Sequence, residues 1–428
     1  LLSSLIFAAL LPAQFQMLLT PPKVKACTTR GSGCSPVVTT DPYSKPGGFA
    51  GYADPSMRQD PQTGRYWKAY TWPHTINPGA IQVSDIHLDY SDDGGATWTY
   101  KGALYTSQLV TDPVAGRGQD WTSHEVITLT NWVSKGVTNW GAWHEHFSVT
   151  AATGHLKLSE SKRWLFATTS DPTGLNGPFG LTAPINSAYI GVPATNVCTG
   201  CKAGPTGSWP YTVNLASLSS DLSGCQEFWE PWLNTSGGVM ALGIQCQSQG
   251  GALTFYGKLT TALSTTGPFN WTYQSGGATH TPFVSMADAT ELCRAVASAS
   301  WCASNSVNLT QMDVRQDGAV AVASVVFYAP AKSLVGWVVL PLASISPPAF
   351  VRSGGHIKVL AAVTSPDSFG TGGGSCTVAP GVPLICAHKV TGGNPGTTGC
   401  SAYGPCDNGM GSSSAGVFTF LMNTRIRF

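Results

Sequence analysis

The sequence is short of charge. Only 11% of its 428 residues are Asp, Glu, Lys or Arg, against about 25% in an ordinary soluble domain. Lys and Arg together number 23 and Asp and Glu 22, for a net charge of +1. A chain this poor in basic residues carries no field suited to a phosphate backbone, which argues against nucleic acid as a partner. Glutamate is scarcest: Glu125, Glu145, Glu160, Glu227, Glu230 and Glu291 are the whole set. Long apolar runs are lacking as well. Residues 1–12 are largely apolar but too few to span a bilayer, and no later stretch reads as a membrane span. Long helical periodicity is missing too, and only Met286 to Val296 reads as a short helix.

What is present is short-range. Runs rich in β-branched and aromatic residues alternate with Gly/Pro/Ser punctuation, supplied by 49 glycines and 29 prolines. Arg65 to Trp72, Ile86 to Tyr90, Trp143 to Thr150, Arg163 to Thr169, Val239 to Cys246, Leu253 to Leu259, Ala319 to Tyr328, Val335 to Leu340 and Gly416 to Met422 all read as strands. The fold class is therefore all-β. A weak repeat of strand, tight turn and aromatic begins near Ile86, Trp164 and Phe255. Its units are longer than a compact propeller blade of about 40–45 residues, so each carries long loops. Repeated sheet units with variable loops point to a β-propeller, five blades favoured over six.

The 12 cysteines fall as close neighbours: Cys27/Cys34, Cys198/Cys201, Cys225/Cys246, Cys293/Cys302, Cys376/Cys386 and Cys400/Cys406. Such spacing reads as local staples formed in an oxidising compartment. Cys198-Thr-Gly-Cys201 has no second Cys-x-x-Cys to complete a zinc site. The apolar start fits the core of a secretory signal with Ala13 as a cleavage point, and sequons at Asn234, Asn270 and Asn308 are compatible with export. The expected organisation is a signal remnant over 1–20, a Pro-rich lead-in over 21–40 and one propeller domain over 41–428, secreted and monomeric.

Ser91-Asp-Asp-Gly-Gly-Ala-Thr-Trp98 fits the pattern Ser-x-Asp-x-Gly-x-Thr-Trp. Asp93 can accept backbone N–H groups across the turn, Gly95 is expected at positive φ, and Trp98 packs into the sheet. This Asp-box resembles the repeats of sialidases and other Asp-box propellers, where it lies on an outer hairpin. It bears on fold, not on catalysis.

Gly51-Tyr-Ala-Asp-Pro-Ser-Met57, followed by Thr63-Gly-Arg-Tyr-Trp-Lys-Ala-Tyr70, resembles the first blade of five-bladed propeller glycosidases of the arabinanase and β-xylosidase type. Trp121-Thr-Ser-His-Glu-Val126 is similar to the Trp-Ala-Pro-Asp/Glu element of their second blade, without the Ala-Pro. Glu227-Phe-Trp-Glu-Pro-Trp-Leu233 is similar to the Glu-Gly-Pro element of the third, without the Gly. The resemblance covers residues 48–260. It implies an inverting glycoside hydrolase in which Asp54 activates water, Glu230 protonates the leaving oxygen and Glu125 orients or tunes that acid.

The residues support such chemistry by themselves. A carboxyl held against aromatic rings has its charged form disfavoured, which suits a general acid. Glu230 and its alternative Glu227 sit amid Trp and Phe, and glycoside hydrolysis needs one such acid and a second carboxylate. Asp54 is the second carboxylate, although Asp-Pro is also a plain turn signal. Trp72, Trp121, Trp229 and Trp232 lie near these acids in sequence, and aromatic faces stack on sugar rings. His124 and Asp313 are further candidates for substrate contact. His144 and His146 share one face of a strand, with Glu145 on the other; they line a polar surface or hold a metal. No cofactor is called for. Channels of such propellers often hold a calcium at the axis, but no calcium-loop pattern is present. The competing functions are an exo-sialidase, disfavoured by the ten arginines and the lack of an Arg-Ile-Pro element, and a non-catalytic propeller that binds glycan or protein. The partner expected is a carbohydrate.

Overall fold

The computed structural model describes residues 23–25, 34–36, 53–76, 81–94, 99–111, 119–150, 163–175, 186–191, 211–214, 219–222, 225–229, 232–248, 253–264, 271–275, 284–295, 297–305, 307–317, 320–329, 334–345, 348–359, 361–364, 374–377, 383–390 and 416–425. Strands dominate. In chain order, β1 (Lys23–Lys25) and β2 (Cys34–Pro36) come first. A first sheet follows in simple meander order, with β3 (Ala53–Gln59), β4 (Tyr66–Ile76), β5 (Ile81–Ser91) and β6 (Thr99–Tyr105). The second sheet holds β7 (Leu109–Thr111), β8 (Gln119–Ser134), β9 (Val137–Thr150), β10 (Arg163–Thr169), β11 (Asn186–Gly191) and β12 (Tyr211–Asn214).

The third sheet contains β13 (Cys225–Trp229), β14 (Leu233–Ser236), β15 (Val239–Ser248), β16 (Leu253–Ala262) and β17 (Thr272–Ser275). Two helices, α1 (Met286–Cys293) and α2 (Ala299–Ser304), intervene. The fourth sheet has β18 (Asn308–Asp317), β19 (Val320–Ala329), β20 (Leu334–Ile345) and β21 (Pro348–Phe350). The small hairpin β22 (Arg352–Ser353) and β23 (His356–Ile357) stands apart, and β24 (Ala361–Thr364) returns to the fourth sheet. The fifth sheet is β25 (Gly374–Thr377), β26 (Pro383–Val390) and β27 (Gly416–Arg425).

Two strands lie within the stretch read as a lead-in. β1 pairs in parallel with β24, and β2 pairs with β27. Residues before 41 therefore take part in the fourth and fifth sheets, which corrects the expected start of the folded domain. The pairing of β2 with β27 joins an early strand to the last one.

The sheets touch in chain order. β8 packs on β3, β4 and β5 of the first sheet and on β14 of the third. β14 packs on β18, β18 and β19 pack on β25, and β25 and β26 pack back on β3. Period-two alternation explains these faces. Trp67, Ala69, Ile86 and Leu88 meet Ile127, Leu129, Trp140 and Ala142 between the first and second sheets. Trp143 points the other way and joins Leu233, Met240, Leu242 and Ile244 of the third sheet. Val314, Ala323, Val325, Val338 and Leu340 form the core of the fourth with Leu292 of α1. Burial of each large apolar side chain contributes about 1.5–3 kcal/mol.

Local chemistry sets the ends of several elements. Ser285 caps α1: its hydroxyl accepts from Asp288 N, and the Asp288 carboxylate accepts from Ser285 N at 2.8 Å. This is the short helix read from the sequence. The second helix, α2, was not anticipated and is tied to the first by Cys293–Cys302. Cys225–Cys246 joins β13 to β15 with Cα atoms 5.4 Å apart. Both pairs are the sequence neighbours expected. Cys376 and Cys386 are directly opposite in the β25–β26 register, and the remaining three proposed pairs involve cysteines outside the described residues or their side chains.

Ser91 to Gly94, the described part of the segment read as an Asp-box, lead from β5 toward β6. Ser91 Oγ bonds to Asp93 Oδ1 at 2.7 Å. Among the described residues of this turn the positive φ is at Gly94, 73°; Gly95 and Trp98 lie outside them. Asn234 is fully buried within β14, so its sequon is closed to glycosylation in the folded chain, contrary to the reading of that site as compatible with export.

Candidate functional site

Four sheets share one kind of irregularity, in β3, in β8, between β13 and β14, and in β18. In β3, Ala53 pairs with Thr71 and Ser56 with Ala69, three steps against two. In β8, Glu125 pairs with Glu145 and Ile127 with His144, two steps against one. Trp229 pairs with Gln245 and Leu233 with Leu242, so the passage from β13 to β14 takes four steps against three. In β18, Leu309 pairs with Phe327 and Gln311 with Val326, two against one. Each of these strands thus carries one extra residue. Such bulges re-aim side chains and are frequent beside active sites.

The four irregularities occur at one level. Leu129 N donates to Ser56 Oγ at 2.8 Å, linking β8 to β3. Thr130 and Thr235 hydroxyls bond at 3.0 Å, linking β8 to β14. Arg58 on β3 ties the other two strands: its Nη2 donates to Leu233 O at 3.1 Å and to Asp313 Oδ1 at 3.1 Å. Ser56, Leu129, Leu233 and Asp313 are therefore neighbours across sheets. Asp54-Pro55, Val126, residues 230–232 and Thr310 each lie within three residues before one of them.

The extra residues fall at or next to the three carboxylates read as catalytic. Asp54 is in the β3 irregularity, with its side chain outside the described residues. Glu125 opens the one in β8. Glu230 lies between Trp229 and Trp232, outside the described residues, as does the Glu227 side chain. Glu125 is half-buried and accepts from Ser84 Oγ at 3.1 Å.

The aromatic candidates divide. Trp121 on β8 is half-buried and Trp229 has its side chain outside the described residues. Trp72 is fully buried, stacked on His87 with ring centroids 5.2 Å apart. Trp232 is buried in the core beside Val284 and Leu292. Both present no open face to a sugar, and the reading of them as stacking platforms is corrected to packing. Trp232 is seated against the third sheet: Gly243 N donates to Trp232 O at 2.8 Å, and a Cβ on Gly243 would collide with the indole. The sequence showed an aromatic beside an acid; only the neighbouring sheets made it interior.

His124 and Asp313 are likewise internal. Asp313 is bound by Arg58, whose side chain has no exposure. His124 stacks on Tyr105 at 5.2 Å and its Nδ1 lies 3.2 Å from His144 Nε2. Tyr105 also covers His144 at 3.9 Å, and His146 is 5.1 Å from His124. Burial pushes His124 down to about 4, partly opposed by Asp85. Burial, then repulsion from His124 and His146, holds His144 well below the usual imidazole range. Burial likewise raises the Tyr105 phenol. Burial therefore favours the neutral form of His124 and His144, which pack with Tyr105 of β6. Among the described residues no three His, Cys, Asp or Glu side chains are arranged to hold a metal.

Sequence reasoning missed Arg58 and Ser84. Arg58 stands four residues after Asp54 on the same strand, and its buried role depends on strands that are 175 and 255 residues away. Ser84 is an ordinary strand serine until β8 packs beside it.

No protein-family model matches the chain, and no curated protein matches it. Several solved structures are similar to it in chain path. One is a family 117 glycoside hydrolase produced by the marine bacterium Zobellia galactanivorans, 13% identical, covering 91% of this chain and 89% of that one with a TM-score of 0.45. Another is a GH43_1 enzyme from Xanthomonas citri complexed with xylotriose, 10% identical over 92% and 90%, TM-score 0.40. A third is the catalytic domain of a GH62 alpha-L-arabinofuranosidase of Coprinopsis cinerea, 12% identical over 91% and 96%, TM-score 0.42. At these identities no residue role is carried over.

Proposed function

We propose that the five sheets form a five-bladed β-propeller and that the protein is a secreted glycoside hydrolase acting on polysaccharide or oligosaccharide. The observation that carries this reading is the common level of four strand irregularities, three of them at Asp54, Glu125 and Glu230. Register shifts occur elsewhere in the sheets as well, but in β3, in β8 and between β13 and β14 one falls where a scarce carboxylate stands, which suits side chains turned toward one site. Asp54 is the base that activates water. Glu230 is the acid that protonates the leaving oxygen, with Glu125 tuning it, and Trp121 and Trp229 meet the sugar. Inversion requires the two carboxyl groups about 6.5–9.5 Å apart, with room for the water.

The sialidase alternative is disfavoured by the lack of an Arg-Ile-Pro element in the sequence. A sialic-acid carboxylate calls for accessible guanidinium groups. Arg58, Arg65 and Arg352 are engaged by Asp313, Asp92 and the pair Asp288 and Glu291.

The test is hydrolysis of a panel of aryl glycosides and of unactivated oligosaccharides by the full chain. Glu230→Gln should lose activity on poor leaving groups by about 10²-fold or more and retain more on activated aryl glycosides, which need little protonation. Asp54→Asn should abolish turnover on both. Equal, mild losses for the two variants would overturn the assignment and favour the non-catalytic binding propeller.

A further inference from the structure

Glu125 owes its position to a residue on another sheet. Ser84 lies on β5 and is almost fully buried. Its backbone N–H donates to Ser123 Oγ at 2.8 Å, two residues before Glu125 on β8. Its hydroxyl donates to Glu125 Oε1 at 3.1 Å. Its carbonyl accepts from Ser107 Oγ at 3.1 Å, and Ser107 N donates to Asp85 Oδ1 at 2.7 Å. The turn after β6 is joined to β8 as well: Gln108 N donates to Thr122 Oγ1, and Thr122 N to Gln108 O, both at 2.8 Å. Ser84 is thus clamped on both sides by backbone bonds, which leaves its hydroxyl to address the carboxylate.

We propose that Ser84 is a positioning residue of the candidate site: its hydroxyl fixes the Glu125 carboxyl at the β8 irregularity and favours its ionised form. A hydroxyl that donates to a carboxylate stabilises the charged state over the neutral one. Among the described residues, other charged or titratable groups stand near Glu125 on β5, β8 and β9. On β5, Asp85 is held by Ser107. On β8, His124 is buried under Tyr105. On β9, Glu145 stands directly across the ladder from Glu125, flanked by His144 and His146. With Glu145 opposite, like charge disfavours ionisation of Glu125, and the Ser84 donor opposes that tendency. The inference rests on the glycosidase reading for its functional meaning, but its physical content does not.

The chain has six glutamates, few enough to follow individually. Glutamate labelled with carbon-13 at the carboxyl would be titrated by NMR in the full chain, with the Glu125 signal assigned from Glu125→Gln. In Ser84→Ala the Glu125 midpoint should rise by about one pH unit, the size of one lost hydrogen bond to a charged group. Ser84→Thr keeps the hydroxyl and should restore the midpoint. Ser84→Cys, a weaker donor, should fall between, and it carries the comparison if the alanine variant does not fold. Equal midpoints in the wild type and the variant lacking the hydroxyl would overturn the proposal. The midpoint is read without substrate. Activity retained in Asp54→Asn and Glu230→Gln would therefore bring down the glycosidase reading while leaving the Ser84–Glu125 link to be judged by its own titration.

Discussion

The two halves of the strands that meet between the sheets, β3, β8, β14 and β18, differ in kind. Toward their C-terminal ends β3, β8, β14 and β18 run in unbroken ladders and bond to each other through Ser56, Thr130, Thr235 and Arg58. Just before that level each gains a residue, and the carboxylates are there. Regular pairing makes a rigid base, and irregular pairing on top of it frees side-chain directions. A site must be held to within about half an ångström to work, so the irregular half depends on the regular half. The far turns of the first sheet are a third situation: Arg65, just before β4, pairs with Asp92, just after β5, on the surface.

The comparison is broken most severely at Arg58. Arg58→Met would leave Asp313 buried without its cation, and breaking a buried pair this way costs about 3–5 kcal/mol. Chemical denaturation should show that loss. If the variant is as stable as the wild type, the strands are not joined through this group.

Acid should weaken the interface between the first and second sheets. An imidazole whose folded value is depressed contributes stability that is complete above its unfolded value, about 6.5, and is lost as pH falls through the folded value. For His124 the window runs from about 6.5 down to about 4, and His144 acts in the same direction. The thermal midpoint should fall across that window, and His124→Gln should flatten the fall. An equal slope in both proteins would show that these imidazoles are not the cause.

Gly243→Ala probes the irregular half without touching a carboxylate. The new methyl group would push the Trp232 indole off its seat, at a cost of about 1–3 kcal/mol for overpacking. Because Trp232 is two residues from Glu230, activity should fall by more than the stability change accounts for. Activity unchanged in a folded variant would show that the seat does not set the acid.

Arg65→Ala, at the far turns of the first sheet, should be the mildest. Arg65 is bidentate to Asp92 at 2.7 and 2.9 Å and covers the Tyr90 ring at 4.2 Å. The pair is substantially exposed, and such bridges contribute less than about 1 kcal/mol. A loss as large as that of Arg58→Met would contradict the division drawn between centre and rim.

Much of the architecture was legible because its signals are local. Arg163 to Thr169 is read and found with the same ends. Ser285 and Asp288 announce α1, and close cysteines pair with one another. Trp140 and Ala142, which face a different sheet from Trp143, precede the strand read from Trp143 to Thr150. β8 was not read as a strand, although at 16 residues it is the longest described; its Thr-Ser-His-Glu segment is polar because it packs against other polar strands.

The candidate site was legible only as residue types. Asp54, Glu125 and Glu230 stand out because acids are rare and sit beside Pro, His and Trp in a chain otherwise poor in charge. Burial of Trp72, Trp232, His124 and Asp313 was not readable, since exposure is decided by the sheet that packs on a strand and not by the strand's own pattern. The same holds for the extra residue in each of these four places, because a bulge exists only relative to the partner it faces. Period, turn chemistry and short-range cysteine spacing thus belong to the sequence, where neighbours in chain are neighbours in space. The common level of the irregularities, the Arg58 tie between three sheets and the Ser84 contact to Glu125 belong to the tertiary structure, because each joins residues that only packing brings within bonding distance.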